Sequence, residues 1–402
     1  MINTDFKIRT KFSIDSYLEF TSVLMVFMQG FVITGLPIID LKLYYLFLIT
    51  NSLMIYLKYG VKLNKYLFLF LGFALVHGFI TYVLFGTPLI YLIKQFIGIS
   101  FAAVYFNNVF IVYDINKLFK IYLKLTIIFC VIAIIFYPTG LLDKETNRMD
   151  GLMSEPSKFI IVNIPALYYF LKQKKYRNAF ILFLGIILAK SSLGYIGVLI
   201  ILLFLFLRKE TLKYLGFTII PFFIVIPFLQ NNDHFQSRLN STLENLEVFQ
   251  TQTFSRQVNI STYALLKNGY VAVNNFGDYI IGTGLGSFGY RHDYYIKELN
   301  IPDFIYIIGM DDLNREDANS LFLRVLSDFG LFGLFFIIIF LFLGLKAHFT
   351  NYSSEKKAIC TGFFIYFLLK LIRMGHYFPE EMFFFLFMFF FMLPKFKIKR
   401  IS

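Results

Sequence analysis

The sequence predicts an all-α polytopic membrane protein with about twelve transmembrane helices and one large external loop. Three observations carry that prediction. The 402 residues are 58% hydrophobic and only 16% charged, far more apolar than a soluble domain. The apolar residues fall into successive runs of bilayer-spanning length, and the basic residues gather in the short connectors between them.

In chain order, apolar runs lie near 17–39, 41–59, 65–86, 88–112 and 118–138, each long enough to cross a hydrocarbon core. Shorter runs follow near 159–172, 177–190, 191–207 and 213–229. The pair around "LAKSSLGYIG" reads either as two short helices or as a re-entrant hairpin. After a long, more polar stretch come 319–345, 358–373 and 380–394. The basic N-terminal stretch "MINTDFKIRTKF" precedes the first run, but no small-residue cleavage site ends that run, so a cleaved signal peptide is not expected. Cys130 and Cys360 both sit inside apolar runs, which leaves no disulfide framework and no Cys-based zinc site to expect. No convincing cluster of metal ligands stands out, and no cofactor is expected.

Orientation follows the lysines and arginines. With a cytoplasmic N-terminus, one side of the bilayer holds Lys58, Lys62 and Lys65; Lys117, Lys120 and Lys124; Lys172, Lys174, Lys175 and Arg177; and the basic C-terminal end. Both termini are then cytoplasmic. The net charge of +13 is explained by this bias, so nucleic-acid binding is not expected. The cytoplasmic connectors are too short for a catalytic module, so any chemistry faces outward, on the connector 139–158, the long segment 230–318 and the turn 374–379. That placement argues against reading "GTGLGSFG" at 282–289 as a dinucleotide fingerprint; a tight turn feeding a short helix is the expected role.

The outward segments concentrate charge. "NRMDGLMSEPSKFI" crowds Arg148, Asp150, Glu155 and Lys158 beside an apolar run. In the long segment, treated as a loop subdomain of a single membrane domain, Arg238, Arg256, Arg291 and Arg315 outnumber Lys267 and Lys297, and the arginine fork suits phosphorylated anions. Solvated pairing with nearby acids such as Asp311 and Asp312 is the alternative. Arg324 and Asp328 share a helix face and are expected to pair. Lys370 and Arg373 precede "GHYFPEE", which adds His376, Glu380 and Glu381; a charge at that depth calls for a ligand or a partner acid.

Taken in order, "RMDGLMSEPS", the "SR" at 255–256 followed by "GTGLGSFG", "NSLFLRVLSDFGLFG" and "LIRMGHYF" resemble the O-antigen polymerase/ligase superfamily, most closely the Wzy-type O-antigen polymerases. The resemblance spans about residues 145 to 394; the first four helices match only in hydropathy. It implies a metal-independent, GT-C-like glycosyltransferase of the bacterial inner membrane, facing the periplasm. Its substrates would be undecaprenyl-pyrophosphate-linked glycans, one repeat unit as donor and the end of a second as acceptor. A chain-length regulator and a flippase are partners implied by the family. Such a site needs cations on the departing pyrophosphate and a base near the attacking hydroxyl. Arg148 is the first candidate for the pyrophosphate, followed by Arg256, Arg291 and Arg373. Glu155 is the candidate base, with capping of the next helix or pairing with Arg148 as its alternative roles, and His376 is the alternative base. The ligase branch is the nearest competitor. Its His followed by Asn, Ser or Gln, and further on by Gly-x-x-Gly, is matched here by Asn319, Ser320, Gly330 and Gly333, with Asn in the His position. A lipid-linked oligosaccharide flippase or other transporter is the reading from a different class. No internal repeat of the transporter kind is seen.

Overall fold

The computed structural model describes residues 13–35, 40–140, 148–207, 233–251, 259–299, 301, 303–307 and 309–393. The expected run at 213–229 and the candidate Arg256 lie outside them. The chain is an all-α membrane protein, with one small exception among the described residues, near the start.

That exception corrects the first predicted span. Helix α1 (Ile14–Leu24) continues only into a short 3-10 turn, Met25–Phe27, after which strands β1 (Val32–Gly35) and β2 (Asp40–Lys42) pair antiparallel. The breakers Gly30 and Gly35 explain why a hydrophobic run did not continue as helix. Helices α2 (Leu43–Tyr59), α3 (Lys65–Phe85), α4 (Leu89–Val112) and α5 (Ile115–Phe136) follow close to the predicted positions. Local caps set their starts: Asn64 accepts from the Tyr66 amide at 2.9 Å and Asp114 from the Asn116 amide at 2.9 Å.

Next come α6 (Pro156–Lys172), α7 (Tyr176–Leu188) and α8 (Ser192–Phe206). The "LAKSSLG" junction is a break between two helices, with Lys190 in the left-handed region at φ 45°. The more polar stretch carries α9 (Asp233–Thr251), α10 (Ile260–Asp278), α11 (Phe288–Tyr295) and the single turn α12 (Asp303–Ile307), so its described residues are largely helical. Helices α13 (Leu321–Phe349), α14 (Ser354–Ile372) and α15 (Met382–Met392) complete the described fold.

Among the described residues four helices are long and apolar enough to cross a membrane: α3, α4, α5 with its C-terminal 3-10 turn, and α13. Their outward residues are large and apolar, among them Leu69, Val83, Ile90, Ile338 and Phe342, as expected of surfaces meeting lipid. The interior is built on α6 and α14, which pack side by side with nearly every residue of 159–170 and 358–367 buried. Gly362 allows their approach, since a Cβ there would stand 2.8 Å from the Pro165 carbonyl oxygen. The phenylalanines of α15 fill the space between α14, α4 and α5, with Phe363–Phe385 centroids at 4.9 Å and Phe110–Phe384 at 5.4 Å.

The polar helical unit is locked onto the bundle at "GTGLGSFG". The Thr283 amide donates to the Ser327 carbonyl at 3.1 Å, the Gly284 amide to the Asp328 carbonyl at 2.8 Å, and the Leu331 amide to the Ile280 carbonyl at 2.9 Å. These bonds open α13 at Gly330 (φ 54°, ψ −130°), where a Cβ would stand 2.2 Å from the Ile280 oxygen, so only glycine fits. The motif is thus a tight turn feeding α11. Asp328 is fully buried and accepts from the Gly286 amide at 2.9 Å and the Tyr377 hydroxyl at 3.0 Å. The expected Arg324–Asp328 pair is loose at 4.0 Å. Arg324 instead donates to the Gly375 carbonyl at 3.1 Å and to Gln95 at 2.9 Å, with its guanidinium 4.2 Å above the Tyr377 ring.

Candidate active site

A cavity of about 1210 Å³ opens where three parts of the chain converge: the connector before α6, the turn between α14 and α15, and the polar unit with its run into α13. Its wall includes Arg148, Glu155, Lys158, Arg373 and His376. Five of the residues singled out from sequence are therefore gathered in one place, although more than two hundred residues separate the first from the last.

The connector holds its charges at the mouth of α6. The Met149 amide donates to the Leu188 carbonyl at 3.2 Å, which ties the stretch to the end of α7. Glu155 occupies the N-cap position of α6, extended at φ −157°, and Pro156 follows in the first turn. Its carboxylate does not cap the helix. It accepts from the Ser157 hydroxyl at 3.0 Å and pairs with Lys158 at 3.4 Å, so the capping and Arg148-pairing alternatives are replaced by a local bond to the next turn. Burial pushes this carboxyl up, but Lys158, Ser157 and Arg373 outweigh it and hold Glu155 below the ordinary carboxylate range. The field of Arg373 at Glu155 also shows that the connector and the α14–α15 turn adjoin here.

The turn is fixed by a backbone crossing. The Met374 amide donates to the Asn319 carbonyl at 2.9 Å and the Ser320 hydroxyl donates to the Leu371 carbonyl at 2.6 Å. A Cβ on Gly375 would stand 1.6 Å from the Asp317 carbonyl oxygen. Ala318, Asn319 and Met374 all have positive φ, from 59° to 73°, a concentration of backbone strain typical of sites held for function. On the far side of this crossing, His376 Nε2 lies 3.2 Å from Asp317 Oδ2. Deeper in the wall, the buried Lys370 ammonium stands 3.8 Å from Glu381, which also accepts from the Tyr366 hydroxyl at 2.9 Å and from Gln29. Neighbouring Glu380 pairs with Lys42 at 2.9 Å and so anchors the β-hairpin to the same turn.

Neutral hydrogen-bonding groups face these charges. Asn259, Ser261 and Thr262 at the start of α10, Asn314 and Asn319 before α13, and Ser191 and Ser192 at the α7–α8 junction all line the cavity. Charged and neutral polar walls around one large cavity suit a ligand that is anionic at one end and rich in hydroxyls at the other.

Arg291 belongs elsewhere. It is buried, donates to the Phe85 carbonyl at 3.1 Å and to Thr87 at 3.0 Å, and lies 4.7 Å above the Tyr279 ring, clamping the α3–α4 turn to the polar unit. Sequence reading overlooked Asp317, which sits in the acidic run "DDLNRED". It also assigned no role to Lys190 or to the amide and hydroxyl wall. Among the described residues one group, His292, Asp293 and Asp312, brings three donor atoms within 4.8 Å of one another, where the sequence suggested no metal cluster. Arg315 grips both oxygens of Asp293 through Nε and Nη2 and holds that acid below its usual range. Burial and the charge of Lys267 push His292 down to about 4. No protein-family model matches the chain, and no curated protein matches it.

Proposed function

We propose that the chain is a polysaccharide polymerase of the Wzy type, joining undecaprenyl-pyrophosphate-linked repeat units at the periplasmic face of the bacterial inner membrane. In this reading the chain makes about twelve crossings with a GT-C-like arrangement, and both termini are cytoplasmic. The observation that carries it is the convergence of Arg148, Lys158 and Arg373 with Glu155 and His376 on one large cavity that also has a neutral polar wall.

The chemistry follows from that wall. An acceptor hydroxyl attacks the anomeric carbon of the donor while pyrophosphate departs with the bonding electron pair. The negative charge that builds on the leaving group is met by Arg148 and Arg373, two planar cations able to hold phosphate oxygens pairwise. Lys158 adds a point charge at the α6 terminus. Pyrophosphate leaves without a general acid, so the one proton to be moved is that of the acceptor hydroxyl. The amides and hydroxyls around Asn259, Ser261, Thr262 and Asn319 would orient the sugars.

Ligation of finished polymer to lipid A core is the competing reading. Asn319, at the position where the ligase branch carries His, is tied down: its side-chain amide donates to the Ser261 carbonyl at 3.3 Å and its backbone amide to Asp317 at 3.0 Å. An amide side chain offers no base, which favours the polymerase. The test is to delete the gene, complement with wild type or Arg148→Ala, and separate the surface lipopolysaccharide by gel. Lipid A core carrying a single repeat unit in the deletion and in Arg148→Ala supports the reading. Bare core with long lipid-linked polymer retained inside the cell replaces it with the ligase.

A further inference from the structure

We infer that His376 is the base of this cavity and that Asp317 is the residue that positions it. The inference rests on the polymerase reading and deepens it by choosing between the two candidate bases.

The geometry distinguishes the two. Asp317 is buried, and its carboxylate is held on both sides: Oδ1 accepts from the Asn319 amide at 3.0 Å and Oδ2 faces His376 Nε2 at 3.2 Å. A carboxylate in that position fixes the proton on Nε2 and leaves Nδ1 as the free acceptor. More than half of the His376 side chain is open to the cavity, at 56% exposure, so Nδ1 can reach a ligand. The pair is also rigid, because Gly375 and Asp317 meet at the backbone crossing and Arg324 ties the Gly375 carbonyl at 3.1 Å. Glu155, in contrast, has its carboxylate occupied by Ser157 and Lys158.

Charge acts in the same direction. The groups facing His376 are Asp317 before α13, Arg324 on α13, Lys370 on α14 and Lys158 on α6, with Arg373 in its own turn. Desolvation pushes the imidazole below its ordinary range, with Arg324, Lys370 and Lys158 acting the same way and Asp317 pulling it up. The ring is then neutral at pH 7 and able to accept a proton. In the step itself, an oxygen lone pair of the acceptor forms the new bond to the anomeric carbon, and the bond to pyrophosphate breaks with its electron pair going to the leaving oxygen. The hydroxyl proton passes to His376 Nδ1. The imidazolium that forms is stabilised by Asp317 and later returns its proton to water.

The experiment uses the full chain in proteoliposomes with lipid-linked repeat units extracted from a strain lacking the gene. Polymer formation is followed across pH for wild type, His376→Gln, Asp317→Asn, Asp317→Glu and Glu155→Gln, and each protein's thermal melting is recorded. His376→Gln is expected to slow the reaction by about 10²–10⁴-fold through kcat, with a smaller loss in Glu155→Gln. Asp317→Asn is expected to slow it about tenfold or more and to move the acid limb to lower pH, because the carboxylate that raises the imidazole's proton affinity is gone. Asp317→Glu should recover part of the rate. A purely structural Asp317 would lower melting and leave the limb in place, and that result overturns the assignment. So does a well-folded His376→Gln that keeps a rate within about threefold of wild type, while wild-type activity leaves the polymerase reading standing. If His376→Gln fails to fold, the acid limb of Asp317→Asn decides alone. A wild-type protein that makes no polymer from these lipids overturns the polymerase reading and the base assignment together.

Discussion

Arg291 and Arg373 are both candidate phosphate-binding arginines in the sequence, yet they meet different surroundings. Arg291 spends its donors on a carbonyl and a threonine and its face on a tyrosine, while Arg373 lies on the cavity wall. Arg291→Lys should therefore lower stability by about 1–3 kcal/mol, read as a reduced melting temperature in detergent, without raising KM for the proposed lipid donor. Arg373→Ala should raise KM, lower kcat or do both. Gly375→Ala places a methyl group 1.6 Å from the Asp317 oxygen and is expected to cost at least about 2 kcal/mol, with loss of activity at temperatures where wild type works. Arg148, Glu155, Arg373 and His376 could be picked from sequence because charges beside apolar runs are costly unless something meets them. Asp317 could not, since it is the last of several acids in the run from Asp311 to Asp317, and only the backbone crossing singles it out.

The elements show the same division. Long apolar runs fixed α3, α4, α5 and α13 closely, because a run of that length has only the helix as a way to satisfy its backbone in lipid. The hairpin at Val32–Lys42 was hidden inside an apolar stretch, since hydrophobicity alone does not distinguish a strand from a helix over so few residues. The glycines of "GTGLGSFG" showed a turn but not its partner, which is the opened rung of α13 at Gly330. Asn275 bridges that contact, donating to the Ser327 hydroxyl at 2.8 Å and to the Ser327 carbonyl at 3.1 Å from a fully buried position. Asn275→Ala is expected to cost about 2–3 kcal/mol by leaving Ser327 and Thr283 short of partners. Proteolysis of the purified protein should then attack the polar helical unit sooner than in wild type.

For the molecule as a whole, the proposed orientation puts the cavity, the polar unit and both connectors that feed it on one side of the membrane. Cys130 and Cys360 are buried, so they give a quiet background for site-specific labelling. A membrane-impermeant maleimide added to spheroplasts should label Tyr294→Cys, on the exposed face of α11, and leave Lys175→Cys, between α6 and α7, unlabelled until the membrane is opened. The reverse pattern would invert the topology and rule out a periplasmic site. The crossing of Met374 and Gly375 over Asp317 and Asn319 also governs how the protein is made. The first helices enter the membrane long before residue 373 has been translated, so arginine, carboxylate and imidazole remain apart until residue 376 has been made. On the proposed reading the nascent protein has no assembled cavity to engage lipid-linked sugar, and competence arrives in one step, when the turn at 374–379 closes over the segment already waiting for it.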